Sequence, residues 1–142
     1  MLRTKGASPV SKKQAKNTWY PLDNAGVLYS AIQKDRYSAI YRFSAVMTEP
    51  VNPPLLQRAV EKTMPRFPGF AVRMRRGAFW CYFEPNPNPG PFVKQDMVNP
   101  CQPVRFREDN EWPIRIFYYD HRISLEVFHA ISDGAGTQVF FP

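Results

Sequence analysis

Long apolar runs are missing from this sequence of 142 residues. No stretch approaches the roughly 20 apolar residues that a membrane-spanning helix requires. Residues 1–16 hold no apolar segment of the kind a secretory signal carries. Both observations point to a cytoplasmic protein with no stable membrane insertion. Cysteine is scarce: Cys81 and Cys101 are the only two, and they form neither a CxxC pair nor a metal-like spacing. A disulfide framework and a cysteine-based metal site are therefore not expected. Acidic residues are absent from the first sixteen positions, where Arg3, Lys5, Lys12, Lys13 and Lys16 give a charge of +5. The other 126 residues carry 14 basic and 12 acidic groups, so the formal net charge of +7 belongs mostly to that end. Residues 1–17 read as a basic tail, expected to be disordered, and residues 18–142 as a nearly balanced body. Such a body gives no reason to expect a nucleic-acid partner.

What is present is a core-forming composition, 44% apolar and 15% aromatic, in a length suited to one domain. Trp19-Tyr20-Pro21-Leu22 leads into a helix expected to end near Ile32, with Asp23 as cap and Leu22 packing back on Val27. Residues 38–47 alternate as a strand, with Tyr41, Phe43, Ala45 and Met47 on one face. Asn52 followed by Pro53 is a strong helix start. Leu55, Leu56, Ala59, Val60 and Thr63 then form an apolar stripe, and Pro65 stops the helix. Residues 70–75 and 79–84 read as strands joined across Arg76-Gly77, with the aromatic residues 79, 80, 82 and 83 on both faces of the second. The proline-rich run 85–91 cannot supply a hydrogen-bond ladder. Residues 114–119 and 122–128 form a second hairpin turning at Asp120-His121, and residues 134–141 begin a helix. Helices alternating with strands in this order predict an α/β two-layer sandwich with helices packed on a mixed sheet.

The chemistry concentrates at the end of the last strand. Ile123, Leu125, Val127 and His129 share one face, while Arg122, Ser124 and Glu126 share the other. An imidazole is thus delivered to the end of an apolar face, just before a polar turn with glycines at 134 and 136. A neutral imidazole can take a proton from a substrate near neutral pH. Asp133 suits the N-cap of the closing helix, and Gly134 suits the turn. His121 falls in a hairpin turn and is expected to face solvent. His129 and Asp133 have no third ligand at sensible spacing, so no metal site is expected.

The run His129-Ala-Ile-Ser-Asp133-Gly134 resembles the HxxxDG signature of the chloramphenicol acetyltransferase-like acyltransferases. That superfamily includes condensation domains and alcohol acetyltransferases. The element order and the segments 19–23, 66–68, 75–77 and 122–129 are similar to those of bacterial alcohol acetyltransferase-like proteins, over roughly residues 18–141. The resemblance implies direct acyl transfer from a thioester, usually acetyl-CoA or another acyl-CoA, to a small-molecule alcohol or amine. It implies His129 as general base, Asp133 as a structural residue that holds its loop through a salt bridge, and Gly134 as the residue that keeps the donor tunnel open. Acyl-CoA would be a co-substrate, with no permanently bound cofactor. Condensation domains carry a second histidine where this chain has Phe128, which speaks against peptide condensation. They also pair the motif aspartate with an arginine where this chain has Ala71, leaving Arg73 as the candidate partner of Asp133. Most members have two lobes, so a second lobe or another subunit is expected to complete the site.

Two other readings compete. One is a non-catalytic or truncated lobe serving as an interaction module, since fold does not ensure function. The other is a binder of nucleic acid or membrane surfaces acting through the basic tail, which the balanced body disfavours. Arg73, Arg75 and Arg76 could meet a CoA phosphate, but ordinary strand and turn charges explain them as well.

Overall fold

A computed structural model of the chain describes residues 20–22, 26–27, 38–96, 98–105 and 110–141. The basic tail lies outside the described residues, as does most of the helix expected over 23–32. Gly26 and Val27 of that helix are described, and both are helical. The other elements run β1 (Tyr20–Pro21), β2 (Ile40–Val46), α1 (Pro53–Thr63), a 3-10 turn (Met64–Arg66), β3 (Val72–Arg76), β4 (Cys81–Pro85), β5 (Val93–Gln95), β6 (Ile114–Tyr119), β7 (Arg122–Phe128) and α2 (Gly134–Phe140). They build two sheets. One has the order β2-β7-β6-β5 and is mixed, because β5 runs parallel to β6 while the other pairs are antiparallel. The other is a small antiparallel sheet in the order β1-β4-β3. The α/β architecture with helices on a mixed sheet is therefore present, and the second sheet is an addition to it.

Local chemistry accounts for α1. The Asn52 side chain accepts from the Leu55 N–H at 3.0 Å, satisfying one orphan donor, and Pro53 opens the helix with its fixed φ. Pro65 converts the exit into a single 3-10 turn. The buried stripe is narrower than expected. Val60 and Met64 are buried and Leu56 partly so, whereas Leu55 is 57% exposed and Ala59 is exposed.

The main core lies between these helices and one face of the larger sheet. Val60, Met64 and Phe70 meet Ile114, Ile116, Leu125 and Val127, and Phe140 of α2 completes the cluster. Phe70 stacks on Phe140 at 4.7 Å, and Phe67 meets the same ring edge-on at 5.2 Å. Each such buried side chain contributes about 1.5–3 kcal/mol of transfer free energy. Phe140 thus ties a helix too short to persist by itself to the rest of the fold.

The opposite face of the same sheet is also buried, and it is charged. Register places Arg42, Glu126 and Arg115 in one row across β2, β7 and β6. Arg42 donates to Glu126 at 2.7 and 2.9 Å and to both oxygens of Asp96 at 2.8 and 2.9 Å. Arg115 pairs with the other Glu126 oxygen at 2.8 Å, and Arg122 with Asp96 at 3.1 Å. The Cys101 N–H donates to Glu126 at 2.6 Å, and Arg115 also donates to the Gln102 carbonyl, so the segment over 98–105 is bound to this row. Glu126 is 2% exposed.

The β3–β4 hairpin differs from its expected form. Its strands begin two residues later, and the turn comprises residues 77–80 rather than Arg76-Gly77. Phe79 and Trp80, read as strand positions, stand in that turn and are exposed. The strand β5 falls in a stretch where the sequence offers no alternation. It forms because β6 presents a free edge, to which the Asp96 N–H also donates through Tyr118 O at 2.9 Å.

No helix among the described residues is long and apolar enough to cross a membrane.

Candidate functional site

β7 carries its alternation one residue past its end. The His129 N–H donates to the Ala39 carbonyl at 2.8 Å, prolonging the β2–β7 ladder, and the half-buried imidazole follows Leu125 and Val127 on the core-side face. Phe128 points to the other face, where it is fully buried with Ala39 and Val104. Phe128 thus has a packing role.

The imidazole lies 4.7 Å from the Tyr41 ring at an interplanar angle of 61°, an edge-to-face contact. Tyr41 sits on β2 opposite Val127. Its hydroxyl binds the motif turn: the Ser132 carbonyl at 3.0 Å, the Asp133 carbonyl at 2.9 Å and the Thr137 hydroxyl at 2.5 Å. Burial pushes the Tyr41 phenol above its ordinary value. Hydrogen bonds to Thr137 and Ser132 oppose that rise, and the Asp133 charge adds to it. Tyr41 therefore stays neutral and keeps its proton for donation. Thr137 is fully buried beneath the turn.

Asp133 caps α2. Its carboxylate accepts from the Gly136 N–H at 2.8 Å from an extended backbone, the usual geometry of a helix N-cap. The expected pairing with Arg73 is not formed, and the reason is topological. Arg73 lies on β3 in the other sheet, opposite Glu84, and it binds Glu84 at 2.6 Å and Glu111 at 2.8 Å. Among the described residues Asp133 makes no salt bridge, so the loop is held by the helix cap and by Tyr41. Ala71 packs against the main core.

The two glycines of the turn differ. A Cβ at Gly134 would meet only Phe43 Cζ, at an ordinary 3.8 Å. A Cβ at Gly136 would fall 2.6 Å from Ser132 Oγ and 3.3 Å from the capping Asp133 oxygen. A side chain at 136 would thus make the Ser132 hydroxyl turn away and would crowd the capping carboxylate, whereas position 134 has room. Sequence reasoning missed Tyr41, Thr137 and Gly136 as site residues. The one available signal was the position of Tyr41 on the same face of its strand as the core residues.

Losing the cap should be visible. Asp133→Ala is expected to lower stability by about 1 kcal/mol, read from a urea midpoint at unchanged m, while Asp133→Asn keeps most of it. An equal loss in both variants would refute capping as the function of this side chain.

The Arg73 cluster has its own pH signature. Burial raises the Glu111 carboxyl, but hydrogen bonds from Arg73 and Asn88 and the charges of Arg73 and Arg75 outweigh it and hold the group below its ordinary 4.5. A depressed folded value stabilises the fold above the unfolded value and loses that contribution as pH falls through the folded one. Thermal stability is expected to drop below pH 4.5, and less steeply in Glu111→Gln. Identical pH profiles for the two proteins would contradict this.

Beside the motif turn, a cavity of about 370 Å³ opens between the small sheet and the residues after His129. Leu22, Val72, Phe83, Ala130 and Ile131 line it.

No protein-family model and no curated protein sequence matches the chain. Its fold does match solved structures. The starter condensation domain of rhizomide synthetase RzmA superposes with a TM-score of 0.64 at 14% identity, over 87% of this chain and 36% of that one. The first condensation domain of the calcium-dependent antibiotic synthetase, in complex with a substrate analogue, gives 0.61 at 16% identity, over 87% of this chain and 37% of that one. A further structure of the first condensation domain of the CDA synthetase gives 0.60 at 16% identity, over 89% and 39%. The chain therefore has the chloramphenicol acetyltransferase-like α/β fold of condensation domains. It spans little more than a third of the length of those structures.

Proposed function

We propose that the chain is one lobe of an acyltransferase that moves an acyl group, acetyl in the simplest case, from a CoA thioester to an alcohol or amine, with His129 as general base. One observation carries this reading: the His129 backbone is fixed to Ala39 and its ring rests on Tyr41, yet the side chain is only half buried. A half-buried imidazole held in one orientation can take the proton from an acceptor O–H or N–H. The acceptor's lone pair then attacks the thioester carbonyl. Collapse of the tetrahedral adduct expels the thiolate, which recovers the proton from the imidazolium. The apolar cavity beside Ala130 and Ile131 is suited to an acyl chain. In this reading Asp133 shapes the turn and Gly134 keeps the donor passage open. Acyl-CoA is a co-substrate, and no cofactor stays bound.

The test is release of free thiol from acetyl-CoA in the presence of a panel of alcohols and amines, with wild type compared against His129→Ala. Acceptor-dependent release that disappears in the variant supports the reading, and equal release in both overturns it.

The extent of the fold favours a second reading. Because the chain covers little more than a third of its structural neighbours, it can serve as a lobe that binds a partner and performs no chemistry unaided. Thiol release that appears only after a second lobe or subunit is added would show that the lobe is incomplete. No release under either condition would favour the interaction module.

A further inference from the structure

The turn between β3 and β4 joins features that the catalytic reading does not use. The Gly77 N–H donates to the Trp80 carbonyl at 2.7 Å, and a Cβ at position 77 would lie 2.9 Å from that same oxygen. Glycine thus permits a tight closure that puts residues 78–80 outside the strand ladder. Phe79 is 92% exposed and Trp80 62%, with ring centroids 6.4 Å apart. Behind them, residues 73–83 contain three arginines and no acid. Arg73 and Arg75 are paired with Glu84 and Glu111, whereas the exposed Arg76 makes no ion pair with any described residue. The turn therefore presents two adjacent aromatic side chains flanked by one uncompensated cation.

We infer that this turn is a peripheral membrane contact that seats Phe79 and Trp80 at the headgroup level of an anionic phospholipid surface, with Arg76 against the lipid phosphates. Aromatic side chains favour that interface, and a basic residue beside them adds attraction to an anionic leaflet. The shape favours lipid over protein. Two side chains at the end of a hairpin offer far less than the about 800 Å² per partner of a specific protein interface. A shallow lipid contact needs only a few inserted rings. Such contact is compatible with a chain whose described helices are too short or too polar to span a bilayer. It also places the aromatic turn, rather than the basic residues 1–16, as the site of contact.

The experiment is cosedimentation of the chain with vesicles of phosphatidylcholine alone and of phosphatidylcholine containing phosphatidylserine. Wild type is expected to pellet with the mixed vesicles and much less with the neutral ones. Phe79→Ser/Trp80→Ser should abolish pelleting, and Arg76→Gln should weaken it by about fivefold, the equivalent of one surface charge. Deleting residues 2–16 should leave the difference between wild type and the double variant intact. Both substituted residues are exposed, so the double variant should keep the wild-type melting temperature and circular dichroism. Three results would each overturn the inference. One is equal pelleting of wild type and double variant, and another is binding that vanishes with the tail alone. The third is a double variant that melts lower or changes oligomeric state, which would show that the rings pack against protein.

Discussion

His129→Ala is expected to lower acyl-transfer turnover by about 10²- to 10⁴-fold while leaving the fold in place, the size of effect that follows loss of a positioned general base. The fold should survive because the backbone anchor at this position does not need the imidazole. The bond to Ala39 O comes from the His129 backbone N–H, which alanine retains. The edge-to-face contact with Tyr41 is lost, at a cost of about 0.5–1.5 kcal/mol. A structural role and a chemical one separate in the kinetics. If the ring only filled space, turnover would fall with the folded fraction, and stabilising osmolytes would restore it. If the ring accepts the proton, kcat falls in fully folded protein while KM for the thioester changes little. Unchanged turnover in the folded variant would sink the proposal.

Glu126→Ala is expected to cost about 3–5 kcal/mol, a large part of the about 5–15 kcal/mol that holds a domain of this size together. The carboxylate is 2% exposed and binds Arg42, Arg115 and the Cys101 N–H together. Alanine would leave Arg42 with Asp96 and take one carboxylate partner from the buried Arg115. It would also remove one of the two hydrogen bonds that hold the segment over 98–105 to this row, leaving the one from Arg115 to the Gln102 carbonyl. The penalty arises from the charges left behind rather than from any large net value of the pairs, since desolvation offsets most of the attraction in an intact buried cluster. Replacing Arg42, Asp96, Glu126 and Arg115 together by apolar residues of similar volume, so that no buried charge of the row is left behind, should therefore destabilise much less than Glu126→Ala. Urea denaturation decides the matter. A loss below about 1 kcal/mol for the single variant would mean that water reaches the row and screens it.

Local patterns made much of the fold legible. The last hairpin turns where Asp120-His121 predicts, with Asp120 in the left-handed region at a φ of +49°. The α1 helix begins at the Asn52-Pro53 signal and stops ahead of Pro65. Each of these features is set by neighbours within four residues, the range over which capping and turn chemistry act. The placement of His129 at the end of an apolar strand face was equally readable, because alternation continues along the strand whatever it pairs with. The β3–β4 turn was misplaced because Phe79 and Trp80 look like strand residues. Their exposure is decided by the Gly77–Trp80 closure and not by their own propensity. β1 and β5 escaped notice because two- and three-residue strands have too few positions to show a period.

The sequence by itself determined the long elements, the helix caps and the strand face on which the imidazole emerges, since all of these depend on the order of nearby residues. Only the tertiary structure decided which charges meet. Arg73 went to Glu84 and Glu111 because β3 and β4 pair in a sheet of their own, leaving Asp133 to cap α2. Arg42, Glu126 and Arg115 became a buried row because three strands distant in sequence align in register. Tyr41 reached the motif turn across 91 residues of chain by the same pairing. Contacts of that range depend on strand register and sheet assignment, which no local pattern of side chains encodes.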